Sequence, residues 1–348
     1  MGTPFFLRAQ AAAARAVLRL PPSVLVRLAG GRPVARDGCV LDPQTQMLTW
    51  LAEKLGRAGR GRGDVAHERV EFDREAAAFV RRESPVASVR DERVSANVKV
   101  RVYTPRGAGR DASAVMFLHG GGFVLGGLTS HDPICRALAH DTGLVVVAVD
   151  YRLAPENTFP AAADDATEAF RWMVREARAL GIDPTRIAVT GDSAGGNLSA
   201  VVSLDTKDDA VRPRFQALVY PATDSTWSFP SMTTMATGGL LDRESVGWFR
   251  GSYAPDPATW TLPRVSPWFA SELAAQPPTL VQTAGFDPLR DEGEAYGEKL
   301  RAAGVDVTLK RYPSLSHGYL NVIGTVTAAD EPWNDLVAAL RRGLQTPA

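Results

Sequence analysis

Short apolar runs alternate with longer amphipathic stretches through most of the chain, and the pattern changes character near residue 85. From Val98 to Tyr103 apolar and polar positions alternate with period two, as in a half-exposed antiparallel strand, and Pro105 ends the run. The next runs, Ala114–Leu118, Leu144–Val149, Arg186–Val189, Phe215–Tyr220 and Thr279–Thr283, are largely apolar without alternation, as in strands covered on both faces. Val307–Tyr312 alternates again. Helical stretches separate most of these runs, notably Ala161–Leu180, Ala194–Leu204 and Asp291–Ala303, with a last one near Pro332–Leu344. Strand–helix–strand repetition predicts an α/β fold with a mostly parallel sheet and helices on both faces.

Two stretches fall outside that pattern. Before residue 85 nothing alternates with period two; the segment is rich in Ala and Arg and predicts helices at Pro43–Leu55 and Arg74–Arg82, joined by a Gly/Arg linker over 56–63. Between Tyr220 and Thr279 the chain is too long for a bare connection, so a helical excursion is expected there. Its aromatic residues, among them Trp227, Phe249 and Tyr253, favour a lid over an apolar pocket. The chain therefore reads as a helical segment 1–85, an α/β core from 86–221 and 263–348, and an insertion at 222–262.

Composition narrows the function classes. Lys and Arg together number 39, matched by 39 Asp and Glu, so the chain lacks the basic excess of a nucleic-acid binder. No run of 18 apolar residues is present, which argues against a membrane span. The two cysteines, Cys39 and Cys135, lie far apart, which rules against a disulfide framework or a zinc cage. Residues 1–36 hold six arginines and no acid. An amphipathic arm packed on the protein is the preferred reading there, ahead of weak peripheral contact with anionic lipid. The arginines interrupt every apolar stretch, so a secretory signal is not expected and a cytoplasmic location is the default.

The chemistry centres on Gly191-Asp192-Ser193-Ala194-Gly195, placed directly between an apolar strand and a helix. A GxSxG pattern at such a junction is a sharp turn that lifts the serine hydroxyl above the sheet. A serine needs a base, and in this architecture the chain order is Ser, acid, His. Of five histidines only His317 follows Ser193. Asp287 ends the run that starts at Thr279 and so lies at the same sheet edge. Asp291 and Glu292 are better explained as helix N-terminal charges, and Asp306 falls at the opposite edge. His119-Gly120-Gly121-Gly122-Phe123 follows the strand Ala114–Leu118, where side-chain-free residues can turn successive amides toward one point. The amide of Ala194 would supply a further donor. His119 precedes the nucleophile and reads as a loop-shaping residue. Neither GK[ST] nor GxGxxG accompanies the glycines, so nucleotide binding is unsupported.

With these residues in place, the sequence resembles the hormone-sensitive-lipase family of α/β-hydrolase esterases. The likeness runs from Val115 to Gly318 through His119–Phe123, Asp150–Glu156, Gly191–Asn197, Asp287–Gly293 and His317-Gly318. It implies an α/β-hydrolase fold with an eight-stranded sheet, and a helical cap built from the N-terminal helices and the insertion. It implies Ser193, Asp287 and His317 as a catalytic triad and Gly121, Gly122 and Ala194 as oxyanion donors. It also implies hydrolysis of short- to medium-chain carboxylic esters without cofactor or metal. Homodimers are common in that family, but no residue here singles one out. An amidase or acyltransferase with the same triad is the alternative enzyme. A ligand-binding receptor is the alternative outside enzymes, and such receptors lack the histidine this chain retains.

Overall fold

The computed structural model describes residues 13–55, 59, 63–80, 84–237 and 239–345. The linker over 56–63 and the first arginine of the basic arm, Arg8, lie largely or wholly outside them. Eight strands form one sheet: β1 (Ser88–Arg93), β2 (Lys99–Thr104), β3 (Ala112–Leu118), β4 (Val145–Asp150), β5 (Ile182–Asp192), β6 (Phe215–Val219), β7 (Thr279–Phe286) and β8 (Val307–Ser316). Their spatial order is β8-β7-β6-β5-β3-β4-β2-β1. β3 to β8 run parallel, whereas β2 is antiparallel to β4 and β1 antiparallel to β2. This is the α/β-hydrolase fold.

Burial explains the register. Every residue of β6 and β7 is buried, as continuous apolar runs require when helices cover both faces. β1 was not expected from the sequence. Its residues Ser88-Val-Arg-Asp-Glu-Arg93 are mostly charged, because it is an edge strand held by backbone pairing to β2 rather than by burial. β5 is longer than expected, since its polar start, Ile182–Thr185, carries no apolar signal.

Among the helices that precede the sheet are α1 (Pro22–Leu28), α2 (Pro43–Lys54) and α3 (Val65–Phe79). The last begins well before Arg74, where the sequence reading began it. Its start is set by the Asp64 carboxylate, which accepts hydrogen bonds from the Ala66 and His67 amides. In the basic arm Leu18 and Leu25 are buried while Leu20, Val24 and Leu28 are exposed, so one face packs on the protein. The longer helices that accompany the sheet are α4 (Asp132–Thr142), α5 (Ala161–Arg175), α6 (Ala194–Asp205), α8 (Arg290–Ala302) and α9 (Asp330–Gly343). The insertion after β6 carries a short turn of helix at Ser231–Thr234 and the helix α7 (Arg243–Tyr253). Among the described residues no helix is long and apolar enough to cross a membrane.

Candidate active site

Ser193 stands between the last residue of β5 and the first of α6, with φ 57° and ψ −116°. A non-glycine residue in that conformation is strained, and the surroundings must hold it there. The Ser193 amide donates to the Val219 carbonyl at the end of β6 (2.9 Å), and the Asn197 amide closes the first helical turn on the Ser193 carbonyl (3.0 Å). Close packing leaves no room for a side chain beside it: a Cβ on Gly195 would lie 1.9 Å from the Leu118 carbonyl oxygen.

The structure brings the three residues chosen from the sequence into one line. His317 Nε2 is 2.9 Å from Ser193 Oγ, and His317 Nδ1 is 2.7 Å from Asp287 Oδ2. Asp287 is fully buried, and its other oxygen accepts the Leu289 amide at 2.8 Å. A carboxylate accepts only, so Nδ1 donates to it and Nε2 is left to accept the serine proton. Such a chain can withdraw a proton from the hydroxyl as it attacks. His317 follows the irregular end of β8, and the Tyr220 ring packs 4.6 Å from its imidazole.

Facing the hydroxyl is the glycine loop after β3. Gly121 and Gly122 adopt φ of +115° and +61°, and a Cβ on Gly122 would meet the Phe249 ring at 2.2 Å. The amides of Gly121 and Gly122 find no protein acceptor among the described residues. Nor does that of Ala194, which opens α6, where helix geometry leaves the first amides without intrahelical partners. All three residues border the cavity that also contains Ser193 and His317.

The anchors of this loop escaped the sequence reading. Asp192, the second residue of the GxSxG pattern, accepts the Gly120 amide at 2.9 Å, and His131 Nε2 lies 3.4 Å from the same oxygen. Burial opposes ionisation of Asp192. The His131 ring and the Gly120 amide outweigh it, and the carboxyl sits below its usual range. His119 stacks on Tyr151 at 4.1 Å, and the Tyr151 hydroxyl donates to the His119 carbonyl at 2.7 Å. Burial and then the neighbouring His131 push His119 down to about 3, so it stays neutral. An acid inside the elbow was the available signal for Asp192. His131 carried none, and Tyr151 stood in the stretch Asp150–Glu156 without any sign of this contact, because only folding places them under the loop.

Asp291 and Glu292 require a correction. Both open α8 as expected, but they reach across to the insertion rather than merely charging a helix end. Asp291 accepts the Ser231 amide (2.9 Å), and the buried Glu292 accepts the amides of Thr223 and Asp224 (2.7 and 3.1 Å). Burial raises the Glu292 carboxyl well above the ordinary range.

The cavity over Ser193 measures about 600 Å³. Its walls come from both ends of the chain's irregular parts. Val17, Leu48 and Leu51 contribute from the N-terminal helices, and Trp227, Leu241 and Phe249 from the insertion. Among the described residues no cluster of His, Cys, Asp or Glu is arranged to hold a metal ion.

A family model described as the alpha/beta hydrolase fold matches residues 115–321. The ethyl acetate hydrolase of Pseudomonas putida is 38% identical over 307 residues, covering 84% of this chain and 96% of that protein. The carboxylic ester hydrolase LipN of Mycobacterium tuberculosis is 40% identical over 332 residues, covering 91% of this chain and 87% of that one. Among solved structures, the thermophilic carboxylesterase EstE1 from a metagenomic library superposes with a TM-score of 0.78. It is 37% identical and covers 82% of this chain and 99% of its own. A thermostable esterase of Pseudomonas putida superposes with a TM-score of 0.82 at 35% identity, covering 87% of this chain and 97% of its own.

Proposed function

Since the chain belongs to the hormone-sensitive-lipase-like esterases of the alpha/beta hydrolase fold and is a carboxylic ester hydrolase, we propose that Ser193 is its nucleophile. His317 is then the general base and acid, and Asp287 the carboxylate that holds the imidazole. The observation that carries this reading is the unbroken line of hydrogen bonds from Ser193 Oγ through His317 to Asp287 at the floor of the cavity.

Ser193 Oγ attacks the ester carbonyl carbon while its proton passes to His317 Nε2. The amides of Gly121, Gly122 and Ala194 receive the negative charge that develops on the carbonyl oxygen. Collapse expels the alcohol, which takes the proton from His317 and leaves an acyl group on Ser193. Water, deprotonated by His317, attacks that acyl group, and the acid departs as the serine regains its proton.

The N-terminal helices and residues 222–262 together form the cap, since both supply walls of the cavity. A largely apolar cavity of about 600 Å³ is of the size that encloses a small molecule, and short- to medium-chain esters suit it. The receptor alternative has nothing to support it, because His317 is present and bonded to the serine.

A panel of p-nitrophenyl esters from acetyl to hexadecanoyl tests the reading with wild type and Ser193→Ala. Wild type is expected to peak between acetyl and octanoyl, and the variant to lose about 10⁴-fold or more in kcat. Near-normal turnover by the variant would overturn the nucleophile assignment. A preference for the longest chains would overturn the acyl range.

A further inference from the structure

Most charged side chains around the cavity are spoken for within the protein. Arg74 pairs with Glu71 at 2.7 Å on α3, and Glu75 also has a partner. Asp192 and Glu292 accept backbone amides, as described above. The Asp224 carboxylate is taken up by the Thr226 amide and hydroxyl and by the Ser228 amide, at 2.6–2.9 Å. Arg250 on α7 differs. It lines the cavity, yet no carboxylate lies within ion-pair distance among the described residues.

Its position is nevertheless fixed. The guanidinium carbon lies 3.8 Å from the ring centres of both Trp227 and Trp260, and Nη1 donates to the Ser225 carbonyl at 2.9 Å. Two indole faces hold a cation without neutralising it. The remaining N–H donors keep their fork geometry and meet no other protein acceptor among the described residues. Burial, and next the nearby Arg243, weigh against the charge, with Asp224 only partly offsetting them. A rigid, unpaired guanidinium at the wall of an otherwise apolar cavity is arranged to receive a planar anion.

We propose that Arg250 is a specificity-determining residue that binds a carboxylate on the substrate, so that half-esters of aliphatic dicarboxylic acids are favoured substrates. The proposal rests on the reading of Ser193 as the esterase nucleophile. The ester end of such a molecule reacts at Ser193 while its free carboxylate engages Arg250.

Hydrolysis of monoethyl adipate, ethyl hexanoate and ethyl 6-aminohexanoate, followed by pH-stat, tests this. Wild type is expected to favour the carboxylate substrate over the ammonium substrate at least about tenfold in kcat/KM, as one charge-assisted contact provides. In Arg250→Gln the ratio of kcat/KM for monoethyl adipate to that for ethyl hexanoate should fall by about 10- to 100-fold, mainly through KM. Arg250→Lys should recover part of that ratio. An unchanged ratio in Arg250→Gln would reduce the residue to a clamp between two indoles and overturn the proposal. So would equal wild-type turnover of the carboxylate and ammonium substrates, a result that does not depend on any variant folding. Failure to hydrolyse ethyl hexanoate as well would instead count against the esterase reading itself.

Discussion

Asp287 illustrates how one atom's environment sets a residue's role. One carboxylate oxygen takes the Leu289 amide and the other takes His317 Nδ1, with no water-facing surface left. Both bonds require an acceptor. Asparagine would keep the shape but present an amide that can donate to Nδ1. The imidazole would then carry its proton on Nε2, where Ser193 needs an acceptor. Asp287→Asn should lower kcat by about 10⁴-fold at neutral pH with a much smaller change in KM, as steady-state kinetics on a p-nitrophenyl ester would show.

Arg69 ties helix α3 to the active-site loops. Arg69 donates Nε to the Val124 carbonyl and Nη2 to the Ala154 carbonyl, each at 2.8 Å, and both of its terminal nitrogens reach Glu156. The Glu156 side chain is 56% exposed, so the ion pair itself contributes little, at most about 1 kcal/mol. The bonds to backbone carbonyls matter more, because one links the helix to the loop that carries Gly121 and Gly122. Removing them with Arg69→Ala should cost about 1–3 kcal/mol of stability, read as a lower urea midpoint. Arg69→Lys should recover only part of this, because an ammonium cannot reproduce the fork.

Across the whole molecule, two buried groups tilt stability with pH in opposite directions. The unfolded chain protonates His119 near pH 6.5, whereas burial keeps the folded residue neutral down to about 3. Unfolding therefore gains protons, and stability declines as pH falls below 6.5. Glu292 does the reverse. The unfolded chain releases its proton near pH 4.5, whereas the folded carboxyl holds it to higher pH. Stability then declines as pH rises above 4.5, by up to about 1.4 kcal/mol per pH unit, until the folded group also ionises. Glutamine at this position removes the titration, and its amide oxygen can still accept the Thr223 and Asp224 amides. The stability of Glu292→Gln relative to wild type should therefore rise between pH 5 and pH 8 in urea titrations. A difference independent of pH would contradict this account.

Local pattern was enough to read the parallel strands, the serine at a strand–helix junction and the order Ser193, Asp287, His317. Buried strands must be apolar, and a sharp turn before a helix must be glycine-rich, so these features are written in neighbouring residues. The charged edge strand β1 was not legible, since its bonds to β2 involve backbone that any sequence supplies. The start of α3 was missed although Asp64 marks it, because the apolar periodicity there is weak. The roles of Asp192, Glu292, Arg69 and Arg250 depend on partners 55 to 87 residues away, or on two indoles from separate turns of the chain. Sequence alone determined which groups could react. Tertiary structure decided what holds them, because a hydrogen bond or a stacked ring depends on distance in space, which sequence separation does not record.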